Sequence, residues 1–345
     1  MSDTLRFTPT DRILVVAPHP DDESIATGGL IQAARAAGAA VRVIVLTDGD
    51  ANVWPQRWIE KRWRIDVAAR TRWGARRREE ARQAMRVLGL RDGDAVFFGL
   101  PDLGLTDLLM RADASVPARL RVAIAEFAPT CIVLPSLADR HPDHSAANVL
   151  VRLALDGSAG AWPRLIAFAV HGGGADATMV CELDIARQQC KRDAILAHAT
   201  QMRLSRGRFL GHVGATEDYA EAAAIAVENP RHPLRASAGA DGKVCIRVDS
   251  RQARRGLALF VVLDGGPRPC RVLVPWRSGR DTLQAHDIIG GEASGIVRVE
   301  RAGTALTLSL QTGCTGWRQG FVKQARPVPG WRVFDRYGWQ AIVRS

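Results

Sequence analysis

Long apolar runs are missing from this chain. Stretches such as Ile13 to Ala17 or Leu257 to Leu263 fall far short of the roughly 20 residues that a helix needs to cross a bilayer. No membrane span is expected, and the opening residues MSDTLRFTPTDR carry no apolar stretch of signal-peptide length. The sequence therefore reads as that of a cytoplasmic protein. Cysteine is sparse as well: the six residues 131, 181, 190, 245, 270 and 314 show no CxxC spacing, which argues against a zinc ribbon or a disulfide framework and for reduced thiols. Neither a GxGxxG nor a Walker pattern occurs, so nucleotide binding has little support, and no serine sits in G-x-S-x-G, which disfavours a serine hydrolase. There are no solenoid-length repeats and no low-complexity tract.

What the chain has is material for a proper core and an excess of positive charge. Its 345 residues are 47% apolar, with 47 Lys and Arg against 36 Asp and Glu, a formal +11. The excess is local. Between Arg57 and Arg86 eleven basic residues face four acidic ones, so this window carries +7 of the total. Nucleic acid is the first partner such a charge suggests, in competition with an acidic small substrate, an anionic membrane surface and a solvated helix face. Trp54, Trp58, Trp63 and Trp73 lie among these arginines, a mixture suited to sugar rings that bear phosphate.

From residue 11 to about 205, short β-branched runs alternate with longer helical ones, the signature of βαβ units around a mostly parallel sheet. Strands are expected at Ile13–Ala17, Val41–Thr47, Ala95–Phe98, Cys131–Leu134 and Leu165–Val170, and helices at Glu23–Ala37, within Arg62–Leu88, and at Pro117–Glu126, Ser145–Leu155 and Asp184–Ala199. After Asn229-Pro230-Arg231-His232-Pro233 the texture changes to about seven short alternating runs, a β-rich module and plausibly a sandwich. The expected fold is α/β, a Rossmann-like sheet with flanking helices over residues 1–233, followed by a smaller all-β module over 234–345 that contains Trp276, Trp317, Trp331 and Trp339. Buried, those tryptophans are core; exposed, they form a carbohydrate platform.

The first strand runs into Pro18-His19-Pro20-Asp21-Asp22-Glu23, and the Cys131–Leu134 strand is followed by Asp139-Arg140-His141-Pro142-Asp143-His144. Ligands bind at the carboxyl ends of strands in open α/β sheets, so two clusters of imidazoles and carboxylates converge on one sheet edge. A single His-Pro-Asp is most often a turn and helix cap; two, each after a strand, point to a site. The set contains no cysteine and suits a catalytic Zn²⁺ with a vacant position for water, whose pKa such a metal lowers to roughly 7. His19, Asp21, Asp22, His141 and His144 divide between ligands, a base and an oxyanion stabiliser.

These motifs resemble those of the PIG-L/LmbE-like deacetylases, over roughly residues 11 to 225, with smaller agreements at Leu46-Thr47-Asp48-Gly49-Asp50, Arg77-x-x-Glu80 and Lys191 to Gln201. The resemblance implies that His19, Asp22 and His144 bind Zn²⁺, that Asp21 is the general base, that His141 stabilises the tetrahedral intermediate with Asp143 orienting it, and that Arg77 lies near the substrate. It implies removal of the N-acetyl group from an N-acetylglucosamine-type sugar of a glycoconjugate. Position 18 departs from the commonest motif, with Pro in place of Ala, without altering a donor atom. Two other readings stay open: a zinc amidase for another amide, such as a thiol conjugate, or a glycan-binding protein with a degenerate site. The expected partner is an N-acetylated amino-sugar conjugate, anionic and lipid-linked forms included, rather than nucleic acid; peripheral membrane contact and the oligomeric state are left open. His171, before Gly172-Gly173-Gly174, ends another expected strand on the same sheet edge and reads as a loop residue or as a contact to substrate, and His198 as either a packing residue or a support to the site.

Overall fold

A computed structural model describes residues 2–156, 162–172, 177–223, 226, 229–239, 241–249, 258–264, 269–275, 280–289, 293–312, 316–325, 334–335 and 337–344. Cys314, Trp276, Trp331 and most of the expected strand at 331–334 lie outside them. The first part of the chain runs β1 (Asp3–Thr4), β2 (Arg12–Ala17), α1 (Asp22–Ala36), β3 (Ala40–Thr47), α2 (Val53–Glu60), α3 (Val67–Val87), β4 (Ala95–Leu100), α4 (Leu105–Met110), α5 (Ser115–Phe127), β5 (Cys131–Pro135), α6 (Pro142–Asp156), β6 (Arg164–Phe168), β7 (Met179–Glu182), α7 (Ile185–Ala197), α8 (Ala199–Leu210) and β8 (Thr216–Ala222).

These strands form one eight-stranded sheet, ordered β1-β7-β8-β6-β5-β2-β3-β4. Its centre, from β6 to β4, is parallel throughout; β8 pairs antiparallel with both β6 and β7. The order β4-β3-β2-β5-β6 is that of a doubly wound sheet, and its direction of winding reverses between β2 and β5. The two motif-bearing loops leave the carboxyl ends of these two strands. Both faces are covered by helices, so β2 and β5 are apolar along their length and buried on both sides. Helix α1 carries Asp22 and Glu23 in its first turn, where a carboxylate is favoured by the helix dipole. Its middle is pinned by buried Glu217, whose carboxylate accepts from the Gly29 and Leu30 amides at 2.7 and 2.9 Å and from Lys191 Nζ at 2.7 Å.

The strands that follow are β9 (Arg235–Ala238), β10 (Lys243–Asp249), β11 (Ala258–Asp264), β12 (Cys270–Pro275), β13 (Thr282–Asp287), β14 (Ala293–Ala302), β15 (Ala305–Gln311), β16 (Gln319–Ala325), β17 (Gln340–Ala341) and β18 (Val343–Arg344). They do not make the two separate sheets of a sandwich. They form one ten-stranded sheet, ordered β17-β16-β11-β12-β13-β14-β15-β10-β9-β18. Residues 340–344 join its two edges: Gln340 and Ala341 pair with Val322 and Phe321, while Val343 and Arg344 pair with Ser237 and Ala238. The sheet is therefore rolled, and its inner face encloses a single core that includes Val244, Val261, Val272, Val297, Leu308 and Trp317.

The rolled sheet is not a loosely tethered appendage. Val262, Phe321 and Trp339 enter the same apolar cluster as Leu150, Leu109 and Leu134 of the α/β part. Polar bonds surround that contact: Arg271 Nε donates to Leu109 O at 2.9 Å, Gln319 Nε2 to Arg152 O at 3.3 Å and Arg318 Nε to Asp156 at 3.1 Å. Of the four tryptophans expected in this module, Trp317 and Trp339 are thus core. Trp73 is buried as well, whereas Trp54, Trp58 and Trp63 are more than half exposed.

Buried His232 closes the seam. It receives the Leu234 amide on Nδ1 at 3.1 Å, and its Nε2 lies 3.2 Å from Gly338 O. Burial, with the charges of Arg235 and Lys323, pushes its pKa down to about 4 from an ordinary 6.5. Below pH 6.5 the unfolded chain takes up a proton that the folded chain refuses until about pH 4. Stability present above pH 6.5 is therefore lost across that window, by about 3 kcal/mol from this group. Denaturant midpoints measured from pH 7 to 4 should fall for the native chain and fall less for His232→Gln; parallel curves would remove His232 as the cause.

Candidate metal and hydrolase site

The loop after β2 and the first turn of α6 bring His19, Asp21, Asp22, His141 and His144 together, all of them buried. Asp22 is the centre. Its Oδ2 lies 3.2 Å from His19 Nδ1 and 3.2 Å from His144 Nε2, and it also accepts the His19 amide at 2.9 Å. The ring centroids of His19 and His141 are 4.6 Å apart, and those of His141 and His144 4.9 Å. One ring nitrogen from each of His19, His141 and His144 can be drawn within 4.8 Å of the others, a spacing that a metal ion can bridge.

The donors fit such an ion. Neither ring nitrogen of fully buried His144 makes a well-formed hydrogen bond, although carboxylate oxygens lie 3.2 and 3.3 Å away, and a buried polar atom without a partner is costly. Charge tells the same story. Burial works against a charged imidazole, yet Asp22 and Asp139 raise His144 to about 9, and the carboxylates of Asp102, Asp143 and Asp22 hold His19 well above its ordinary value. Burial likewise opposes a charge on Asp22, but His144 and His19 hold its pKa well below the usual range. The buried carboxylates thus favour positive charge on both imidazoles, a charge that a divalent cation would supply in their place. Imidazole and carboxylate without thiolate suit Zn²⁺.

Asp21 is held differently. Its backbone has φ 146° and ψ −27°, a region that residues other than glycine seldom occupy. Two groups keep it there: Glu23 Oε2 accepts its amide at 3.0 Å, and Arg77 Nη2 donates to its Oδ2 at 2.9 Å and to Pro20 O at 2.8 Å. Burial raises the Asp21 pKa to about 6, against the opposing pull of Arg77. The guanidinium reaches Asp21 by passing over Gly49, to whose carbonyl Nη1 donates at 2.6 Å. A Cβ at position 49 would sit 1.6 Å from Nη1, and Gly49 has φ +62°, so the Thr-Asp-Gly-Asp turn needs glycine there on both counts.

Arg77, expected beside the substrate, is therefore turned inward and almost fully buried. Its motif partner Glu80 accepts the Thr200 amide and hydroxyl, the latter at 2.6 Å. His198 is more than packing: its Nε2 is 3.0 Å from Glu23 Oε1, so it backs the carboxylate that holds the Asp21 amide. Asp143 also departs from expectation. Its carboxylate accepts from the Leu103 and Leu105 amides at 2.7 and 3.1 Å and approaches His19 Nε2 at 3.3 Å, while only its backbone amide meets His141, at Nδ1.

Four further residues line the site: Asp139, from the second motif cluster, His171, and two that the sequence reading does not single out, Asp102 and Phe334. Asp102 Oδ1 lies 3.2 Å from His19 Nε2, and Asp139 accepts the His141 and Val170 amides beside His144. His171, read as a loop residue or a contact to substrate, has its ring centroid 4.8 Å from that of His144 and 5.2 Å from that of His141. Phe334, from the segment after β16, lies 4.8 Å from His171 and 5.8 Å from His141. Asp102 could have been found by the rule that found the others, because Pro101-Asp102 directly follows β4. Nothing in the sequence marks Phe334.

Residues 14–155 match the family model described as PIG-L, GlcNAc-PI de-N-acetylase. A 1D-myo-inositol 2-acetamido-2-deoxy-alpha-D-glucopyranoside deacetylase of Mycobacteroides abscessus is 32% identical over 161 residues, 43% of this chain and 56% of that relative. The chain thus spans little more than half the length of this curated relative. Among solved structures, the conserved protein TT1542 from Thermus thermophilus aligns with a TM-score of 0.47 at 25% identity, over 65% of this chain and 99% of its own. N,N'-diacetylchitobiose deacetylase from Pyrococcus horikoshii aligns with 0.46 at 18% identity, over 62% and 85%. Among the described residues no helix is long and apolar enough to cross a membrane.

Proposed function

We propose that the chain, whose residues 14–155 match the PIG-L family model, is a zinc-dependent hydrolase removing the N-acetyl group from an N-acetylglucosamine-type sugar of a glycoconjugate. One observation carries the reading: Asp22 Oδ2 stands 3.2 Å from a ring nitrogen of both His19 and His144, with a second buried carboxylate, Asp21, beside it. His19, Asp22 and His144 would hold the metal. When bound, it would polarise the acetamide carbonyl and acidify a water.

The remaining chemistry falls to side chains. Asp21 takes the proton of the attacking water, oriented by Arg77 and Glu23. Burial and the charges of His19, His144 and His171 hold the His141 pKa well below its ordinary value, and the Asp143 amide donating to its Nδ1 at 3.3 Å leaves the ring proton on Nε2. His141 can thus donate that N–H to the oxyanion that forms when water adds to the carbonyl carbon. As the C–N bond breaks, Asp21 returns its proton to the leaving amine, and the products are acetate and a free amino sugar. We assign residues 1–233 to a deacetylase domain and 234–345 to a β-rich module that packs against it.

The basic segment fits an anionic conjugate only in part. Arg72, Arg76, Arg78, Arg82 and Arg86 are paired with Glu60, Glu80, Asp48, Glu79 and Asp92, Arg77 is buried and Arg57 lies over Trp54 and Trp63, which leaves the exposed Lys61, Arg62, Arg64 and Arg70 to meet a phosphate. The test is acetate release from neutral and phosphate-bearing N-acetylhexosamine conjugates, with Zn²⁺ present and chelated, at two ionic strengths. Zinc-dependent release is expected, with KM rising with salt for the phosphorylated substrates alone. No release from any conjugate, or release indifferent to chelation, would remove the proposal.

A further inference from the structure

We infer that the rolled β-sheet completes the active site: Phe334 is a specificity-determining residue whose ring receives the apolar face of a sugar. The inference deepens the proposed function and rests on it for the sugar. Among the described residues, Phe334 is the one non-histidine ring that packs on the site's imidazoles, and it comes from outside the α/β part. Its position is fixed from both sides. The Asp335 amide donates to Arg140 O at 2.8 Å, and the Trp339 amide to Leu137 O at 2.9 Å, so the segment clasps the loop that carries Asp139 and His141. Lys323 Nζ, buried, holds the Asp335 carboxylate at 2.7 Å. Gly338 lies so close to the loop that a Cβ there would stand 2.4 Å from Leu137 O and 2.7 Å from Asp139 O.

The ring itself is not buried by this clasp. Phe334 remains 36% exposed, with His171 and His141 behind it. Around it the site offers carboxylates and imidazoles, groups that suit hydroxyls and an amide but not the C–H face of a pyranose. An aromatic face supplies that contact.

Binding and turnover separate this inference from the reaction it serves. The probes are N,N'-diacetylchitobiose and N-acetylethanolamine, which has an acetamide and a hydroxyl but no ring. In the zinc-loaded chain, Phe334→Ala should raise KM for the disaccharide roughly tenfold with kcat within about threefold, and leave KM for N-acetylethanolamine unchanged, whereas Phe334→Trp should restore it. Calorimetric affinity for the disaccharide, measured on a background of Asp21→Asn, should follow the same pattern, and the ring-proton resonances of His141 and His171 should move in Phe334→Ala. Equal losses on both probes, failure of Trp to rescue, absence of sugar binding by the wild-type ring, or unmoved histidine resonances would overturn the inference. Sugar binding that depends on Phe334 without hydrolysis would instead overturn the proposed reaction and leave this inference standing.

Discussion

Replacing Asp21 by Asn is expected to lower kcat by roughly 10²–10⁴ while bound zinc stays at the wild-type level. The two halves of that result come from different atoms. Asparagine keeps an oxygen for Arg77 Nη2 and leaves the amide bond to Glu23 intact, so the strained turn and the neighbouring His19, Asp22 and His144 keep their places. What it loses is the capacity to accept the water's proton, and the buried pocket offers no substitute at that point. Zinc analysis beside steady-state kinetics checks both halves. Loss of zinc in step with activity would mean that Asp21 is a ligand and that the base lies elsewhere.

Arg77→Met is expected to act on stability and kcat rather than on KM. The guanidinium makes three short bonds, to Gly49 O, Pro20 O and Asp21 Oδ2, and methionine replaces none of them. Breaking a buried ion pair from one side costs about 3–5 kcal/mol because the surviving charge is left alone, which corresponds to a fall in melting temperature on the order of 10 °C. Asp21 then loses both its orientation and the charge that holds its proton affinity down. Arg77→Lys restores a charge but not the fork that reaches two loops at once, so stability should recover further than kcat. A raised KM with unchanged melting temperature and kcat would place Arg77 on the substrate, as the family resemblance suggests.

The parallel sheet and the two motif loops were legible because each signal is local. A buried strand reads as a short apolar run, and the loop after it carries its own histidines and carboxylates. Arg77 shows where locality ends: that a basic residue in a basic helix should point inward depends on Gly49 leaving room for it, a coincidence of two distant turns. In the rolled sheet, β13 and β16 are hard to read from the sequence for a related reason. Strand β16 buries Gln319 and Lys323 toward the α/β part, where Arg152 O and Ser145 Oγ receive them, so its pattern of polar residues does not look like a strand's. Strand β13 buries only Leu283 and Ala285. Helix α2 lies in the loop after β3, where exposed tryptophans and a proline disguise it.

The clasp on the His141 loop also bears on how the molecule comes to be active. Arg140 and Asp335 are 195 positions apart, and the segment carrying Asp335 is held in place by the closure of the rolled sheet through residues 340–344. Contacts of such long sequence separation form late, and domains of large proteins generally fold as units before they dock. Helices and the parallel sheet can therefore be in place while the imidazole side of the site still has an open flank. During refolding, recovery of helical signal is expected to precede recovery of turnover, by the time the second sheet takes to roll up and grip the first.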